Sequence, residues 1–354
     1  MINDELSFDE SLRSDQAVQI APYLERGKLL IFCGNAGLLS TGSGCVRFER
    51  DHICLLESPW NHVDGIILFG RHKITTPAML DALNHDVPIH LASNSGHYKG
   101  MIYNPRCANT GDMWLAQHRL FACKNASLQA AKSVVESRIR HMRETLRRRN
   151  SIALDHARDA MKVSLRAVIR ADNLSELNGV EGNATRMYFD ALKGLVPAIY
   201  GFTDRNRRPP RDPFNALISL GYTQLYAHVD ALLRVTGLLP ELGFYHQVRS
   251  GHAALASDLM EPFRHVVERC ALSMLQREKL KLDDFTFGDS DGCRLNAAAR
   301  RLYLGHLTEA LLIPVKNGEN SDALPILDHI YQQSLNLKRW VTGKSDIFEA
   351  WRVR

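Results

Sequence analysis

The chain has 354 residues, 45% of them hydrophobic, 23% charged, and a formal net charge of +5. That is enough apolar material for two packed cores, so a disordered or fibrous chain is excluded. No uninterrupted apolar run approaches the roughly 18 residues of a membrane span, and the acidic start Met1-Ile-Asn-Asp-Glu-Leu-Ser lacks a basic, then apolar, leader, so a cytoplasmic protein with no membrane partner is expected.

Residues 1–27 read as an N-terminal extension without legible chemistry. β-type runs follow at Lys28–Cys33, Cys45–Glu49, His52–Leu56, Gly65–Phe69, Pro88–Ala92 and Lys99–Tyr103. Turn-rich stretches such as Ser40-Thr-Gly-Ser-Gly44 separate them. One helix interrupts the runs from about Thr76 to Asn84, with Thr75 or Thr76 as N-cap and Pro77 in the first turn.

Beyond a linker at 106–112 the pattern turns helical, with helices expected at 113–149, 151–172, 181–194, 213–237, 255–280, 296–314 and 323–342. Asp212-Pro213 opens one of these and Gly237 with Pro240 closes it. The fold class is therefore α+β: a small N-terminal β-rich domain over 28–105, then a larger all-α domain over 113–354.

Seven cysteines, odd in number and without a C-x-x-C pair, argue against a disulfide framework and against a structural zinc. The basic residues cluster: six arginines between Arg138 and Arg149 face one acid, Glu144, and Arg205, Arg207, Arg208 and Arg211 follow within seven residues. Such clusters are either phosphate-contacting patches or solvated faces.

The chemistry-bearing stretch is Gly243-Phe-Tyr-His246 followed by Asp258-Leu-Met-Glu261-Pro-Phe-Arg264. Asp258 and Glu261, three apart, share a helical face, and with His246 they form an oxygen-and-imidazole set that suits Mg²⁺ or Mn²⁺. A third acid, Glu181, lies between Gly179 and Gly182 at the expected start of a helix, where it either meets a ligand or complements the helix dipole. His252 and His265 read as surface or packing residues. Tyr188 and Tyr222 are either base-stacking or core aromatics.

The segments Glu181-Gly-Asn-Ala-Thr-Arg-Met-Tyr-Phe, Asp212-Pro-Phe-Asn215-Ala-Leu-Ile-Ser-Leu-Gly-Tyr222 and Gly237 to His246 with Leu255 to Arg264 resemble the CRISPR-associated spacer-acquisition integrase, the "Cas one" family. Phe69-Gly-Arg-His-Lys-Ile74, Ala130 to Arg148 and Cys293-Arg-Leu-Asn extend the resemblance to about 28–345. It implies catalytic metal ligands at Glu181, His246 and Asp258, with Glu261 supporting them from behind; Arg264, three after Glu261, either fixes that acid or contacts DNA, and the structural pairing is favoured. It implies an endonuclease and integrase that joins a DNA 3′-hydroxyl into a repeat by transesterification. The implied partners are DNA, a second copy of the chain and a small companion of the "Cas two" family.

On this reading Arg138, Arg147, Arg148, Arg186, Arg205, Arg207, Arg208 and Arg211 contact DNA. His246 has a second possible role, proton transfer to the leaving oxygen, which the sequence leaves open. Two other functional readings are a catalytically idle DNA-binding scaffold and a transposon-encoded relative. The second is disfavoured by the short stretch after the last expected helix.

Overall fold

The computed structural model describes residues 18–19, 28–32, 36–93, 98–104, 110–147, 152–288, 292–316 and 323–352, which fall into two compact units, 1–104 and 105–354. The first unit runs β1 Val18–Gln19, β2 Lys28–Phe32, β3 Leu38–Gly42, β4 Cys45–Arg50, β5 Ile53–Pro59, β6 Val63–Phe69, β7 Lys73–Ile74, α1 Thr76–Asn84, β8 Ile89–Ala92 and β9 Tyr98–Ile102. One sheet has the order β1-β2-β6-β8-β9 and the other β5-β4-β3-β7.

The apolar run in β6 pairs in parallel with both β2 and β8, and parallel strands of this kind are covered on both faces. Leu30, Phe32, Leu39, Phe48, Trp60 and Ile66 form one core with Ala78 and Ala82 of α1. Phe32 stacks on Phe48 with ring centroids 4.0 Å apart. α1 starts as the sequence indicates: the Thr75 hydroxyl accepts from the Ala78 amide.

β3 corrects the reading of 40–44 as a turn. Only Ser43 and Gly44 turn, both at positive φ, and Leu38–Gly42 pairs with Cys45–Glu49 as a hairpin.

The second unit contains α2 Thr110–Ala122, α3 Lys124–Arg147, α4 Ile152–Arg170, α5 Leu174–Lys193, α6 Pro213–Val235, α7 Ala254–Met260, α8 Arg264–Gln276, α9 Ala297–Leu312 and α10 Ile326–Val341. Two small hairpins, β10 Phe285–Gly288 with β11 Gly292–Leu295 and β12 Pro314–Lys316 with β13 Ala323–Pro325, interrupt what the sequence suggests is an all-helical domain. No helix among the described residues is long and apolar enough to cross a membrane.

Asp212 caps α6 through the Asn215 amide, and Gly237 follows its C-terminus in the left-handed region, as the sequence suggests. Three boundaries differ. The expected helix over 113–149 is split at Cys123, that over 255–280 is broken by a 3-10 turn at Glu261–Phe263 carrying Pro262, and α5 begins at Leu174 instead of 181.

Three histidines of this unit are buried and held neutral. His141 stacks on His265 at 4.3 Å between ring centroids, and His265 also stacks on Trp351 at 6.0 Å. Burial lowers the pKa of His141 to about 3, that of His228 to about 4, and that of His265 well below its ordinary value. The unfolded chain takes up protons near pH 6.5 whereas the folded chain does not, so stability is lost as pH falls below about 6.5, by about 1.4 kcal/mol per pH unit for each such group. We expect the melting temperature to be level above pH 7 and to drop steeply between pH 6 and 4.5. A flat profile across that window would contradict the burial of these rings.

Candidate active site

Asp258 lies on α7 with 0% exposure, and its carboxylate faces the turn that precedes the helix. Oδ2 accepts from the Phe244 amide at 2.8 Å and the Tyr245 amide at 3.1 Å; Oδ1 accepts from the His246 amide at 2.8 Å and from His246 Nδ1 at 2.7 Å. Two acceptor positions per oxygen are thus filled, and no lone pair is left for another ligand. A Cβ at Gly243 would lie 2.8 Å from Asp258 Oδ2, which is why the turn needs glycine there.

Asp258 therefore behaves as an anchor, in contrast to the metal ligand that the sequence resemblance implies. It fixes the Nδ1–H tautomer of His246 and leaves Nε2 as the available ring nitrogen. Burial pushes the imidazolium down, but the hydrogen bond and charge of Asp258, with the charge of Glu261, outweigh it and raise the pKa above the ordinary histidine value.

Glu181 stands in the body of α5. Asn173 caps this helix by accepting from the Glu176 amide, and the Glu176 carboxylate bonds back to the Asp172 amide and Asn173 Nδ2. That position removes the helix-dipole explanation for Glu181, since the dipole acts within the first turn. Tyr245 donates its hydroxyl to Glu181 Oε2 at 2.8 Å. Burial, then the charge of Glu261, raises the Glu181 pKa, opposed by the Tyr245 hydrogen bond, Arg264 and His246.

Glu261 opens the 3-10 turn and is 3% exposed. Its Oε1 pairs with Arg264 Nε at 2.8 Å and its Oε2 lies 3.8 Å from Arg138 Nε. α5, the 243–246 turn and the 3-10 turn thus bring Glu181, His246, Glu261 and Arg264 to one locus. Among the described residues no group of three His, Cys, Asp or Glu side chains is gathered at metal-holding distance. Instead one oxygen of Glu181 accepts from Tyr245, and the two oxygens of Glu261 face Arg264 and Arg138.

Arg138 corrects another expectation. It is 2% exposed, so it cannot track solvent-borne phosphates, and it forms a bidentate pair with Glu268 on α8. Glu268 also accepts from the hydroxyls of Tyr188, at 2.8 Å, and Tyr222. Both tyrosines are thereby structural, not base-stacking. His265 is a packing residue, while His252 bonds to Ser257 at 3.1 Å and stacks on Tyr226.

The remaining arginines divide. Arg147, 68% exposed and paired with Glu144, together with Arg186, Arg207, Arg208 and Arg211, lies on the surface, whereas Arg205 is half-buried. Arg148 lies outside the described residues. Sequence reasoning missed Tyr245, Glu268 and the inward turn of Arg205. Only the place of Tyr245 beside His246 offered a signal.

A family model described as "CRISPR associated protein Cas1" matches residues 31–309. A CRISPR-associated endonuclease Cas1 of Mycobacterium tuberculosis is 39% identical over 228 residues, 64% of this chain and 67% of that protein. A CRISPR-associated endonuclease Cas1 3 of Thermus thermophilus is 34% identical over 90% of this chain and 96% of its own length. Among solved structures, a chain of a "Partial Cas6-RT-Cas1--Cas2 complex" superposes with a TM-score of 0.78 at 33% identity, covering 92% of this chain and 98% of that one. A "Casposase bound to integration product" shares the fold, with a TM-score of 0.73 at 20% identity over 91% of this chain and 97% of that one. The segments that carry Glu181, His246 and Glu261 lie inside the matched region, and this chain belongs to the Cas1 family.

Proposed function

We propose that this protein is a metal-dependent DNA endonuclease and integrase of CRISPR adaptation. The 3′-hydroxyl of a captured DNA fragment attacks a phosphodiester at a repeat boundary; one P–O bond forms as the opposite one breaks, and the displaced strand leaves with a 3′-hydroxyl. With water as nucleophile the same site acts as an endonuclease. The relatives named as endonucleases support the reaction class.

The observation that carries this reading is the convergence of Glu181, reached by Tyr245, with His246, held by Asp258, and with Glu261; burial and the charge of Glu261 raise the Glu181 pKa accordingly. Like-charged acids beside an imidazole nitrogen would form an oxygen-rich donor set of the kind Mg²⁺ or Mn²⁺ accepts once their side chains draw together and Glu261 turns from Arg264. We assign the ligand positions to Glu181, His246 Nε2 and Glu261. A divalent cation bound there would supply charge neutralisation at a non-bridging phosphoryl oxygen.

The protein's own groups do the rest. Asp258 holds the ring of His246 in one tautomer, Tyr245 orients the Glu181 carboxylate, and the Arg138–Glu268 pair stands behind Glu261. Arg264 neutralises Glu261 and is the contact with which a cation must compete. The exposed Arg147, Arg186, Arg207, Arg208 and Arg211 track duplex phosphates. By likeness to the Cas1–Cas2 complex we extend to this chain a Cas2 companion, and from the family resemblance a homodimeric state.

Joining of labelled DNA into a repeat-bearing plasmid tests the assignment. Glu181→Gln and Glu261→Gln should each lower the joining rate about 10²–10⁴-fold, and Asp258→Asn about 10–100-fold with a raised metal requirement. Parental joining by Glu261→Gln would refute the ligand set. Asp258→Ala should also cost stability, since it orphans three buried amides at about 1–3 kcal/mol each. An unchanged urea midpoint in that variant would show that the turn does not depend on Asp258.

A further inference from the structure

Arg205 differs from every other member of its cluster. Asn215, 0% exposed near the start of α6, stitches the loop around it: Asn215 Nδ2 donates to the Asp204 carbonyl at 2.8 Å and to Asp212 Oδ2 at 2.6 Å, and its Oδ1 accepts from the Asn206 amide at 3.1 Å. The same Oδ1 accepts from Arg205 Nη1 at 2.8 Å, and Ser219 Oγ accepts from Nη2 at 3.3 Å. The acceptors of Arg205 itself, which also include the Asn206 carbonyl, are all neutral. Among the described residues no carboxylate forms an ion pair with Arg205, because the nearby Glu268 is already held by Arg138, Tyr188 and Tyr222.

The guanidinium of Arg205 lies over the Tyr222 ring at 5.7 Å from its centroid, and that of Arg264 lies over the same ring at 4.5 Å. Tyr222 cannot move freely, since its hydroxyl is fixed on Glu268. Two planar forks are therefore held on one aromatic spacer, and only Arg264 has an acid, Glu261. Burial lowers the pKa of Arg205 to about 10, and repulsion from Arg207 and Arg264 adds to this against the opposing pull of Tyr222 and Glu268. Glu268 and Asp212 act on Arg205 only through space, without an ion pair, and a desolvated cation that no carboxylate bonds favours an anion arriving from outside; a guanidinium fork suits a phosphate more closely than an ammonium does.

We infer that Arg205, with Tyr222 as its platform and Arg264 as its neighbour, forms a preorganised seat for a single DNA backbone phosphate beside the Glu181–Glu261 locus. The ligand class is a phosphodiester anion. The proposal rests on the reading of the protein as a DNA-acting enzyme but not on its metal chemistry. Arg205 binds substrate there, whereas Asn215, Ser219, Tyr222 and Glu268 are positioning residues that prevent the fork from turning away. The exposed arginines of the same loop add diffuse attraction, and Arg205 fixes the register of one phosphate.

The test is fluorescence anisotropy of a labelled DNA fragment at several KCl concentrations, without divalent cation, on the full chain. Arg205→Gln should weaken binding about tenfold at 0.1 M salt and reduce the slope of log Kd against log salt by about one, as expected for one lost phosphate contact. Arg205→Lys should keep the parental slope but bind at least about threefold more weakly, because a point charge cannot form the fork. Glu181→Gln, which removes a carboxylate beside the seat, should keep the parental slope and bind no more weakly than the parent while losing strand joining, which separates this seat from the chemistry. A parental slope and affinity in Arg205→Gln, or fully parental binding in Arg205→Lys, would overturn the proposal.

Discussion

The site depends on one carboxylate that is already fully used. Asp258 draws three consecutive backbone amides and a ring nitrogen onto its two oxygens, and a buried carboxylate is tolerated there only because every lone pair has a donor. The turn cannot relax without exposing those amides to an apolar interior. The consequence is that His246 has one ring orientation and one tautomer before any ligand arrives. Tyr245, its chain neighbour, is fixed by the same turn and reaches Glu181 on α5.

A second constraint runs behind the acids. Glu268 collects Arg138 and two tyrosine hydroxyls, Arg138 extends to Glu261, and Glu261 holds Arg264. Charges alternate along this chain of buried groups, so each is compensated by the next. Burial alone would push the Glu268 carboxyl up; Arg138 and the two tyrosine hydroxyls outweigh it and hold the pKa below the ordinary value. Glu261 thus sits between two cations, and Glu181 feels its charge from the other side. The balance leaves Arg205 as the cation with no acid assigned to it among the described residues.

Much of the fold was legible because its signals are local. Thr75 and Asp212 announce helix starts through a hydroxyl and a carboxylate that satisfy nearby amides, and the Val/Ile/Leu run of β6 announces a covered strand. The start of α5 is written in the capping pattern Asn173-Leu-Ser-Glu176, whereas Gly179 and Gly182 around Glu181 imitate a helix start within the helix. Arg138 was not legible. Its sequence neighbours make it look like part of a phosphate patch, whereas its partner Glu268 lies 130 residues away, and one side of α3 is buried. The roles of Asp258 and Glu261 could not be separated either. Residues three apart share a helical face, and what distinguishes them is that Pro262 ends the helix at Glu261 while Asp258 meets a turn contributed by another segment.

In the proposed site Asp258 positions while Glu261 ligates. The most direct measurement is titration of the DNA-free protein with Mn²⁺, followed by the paramagnetic broadening of the His246 ring resonances. Glu261→Gln should remove the broadening at concentrations that saturate the parent, and Asp258→Asn should shift it to about 10–100-fold higher Mn²⁺. Loss of Mn²⁺ binding on Asp258→Asn together with parental binding in Glu261→Gln would contradict that division of roles.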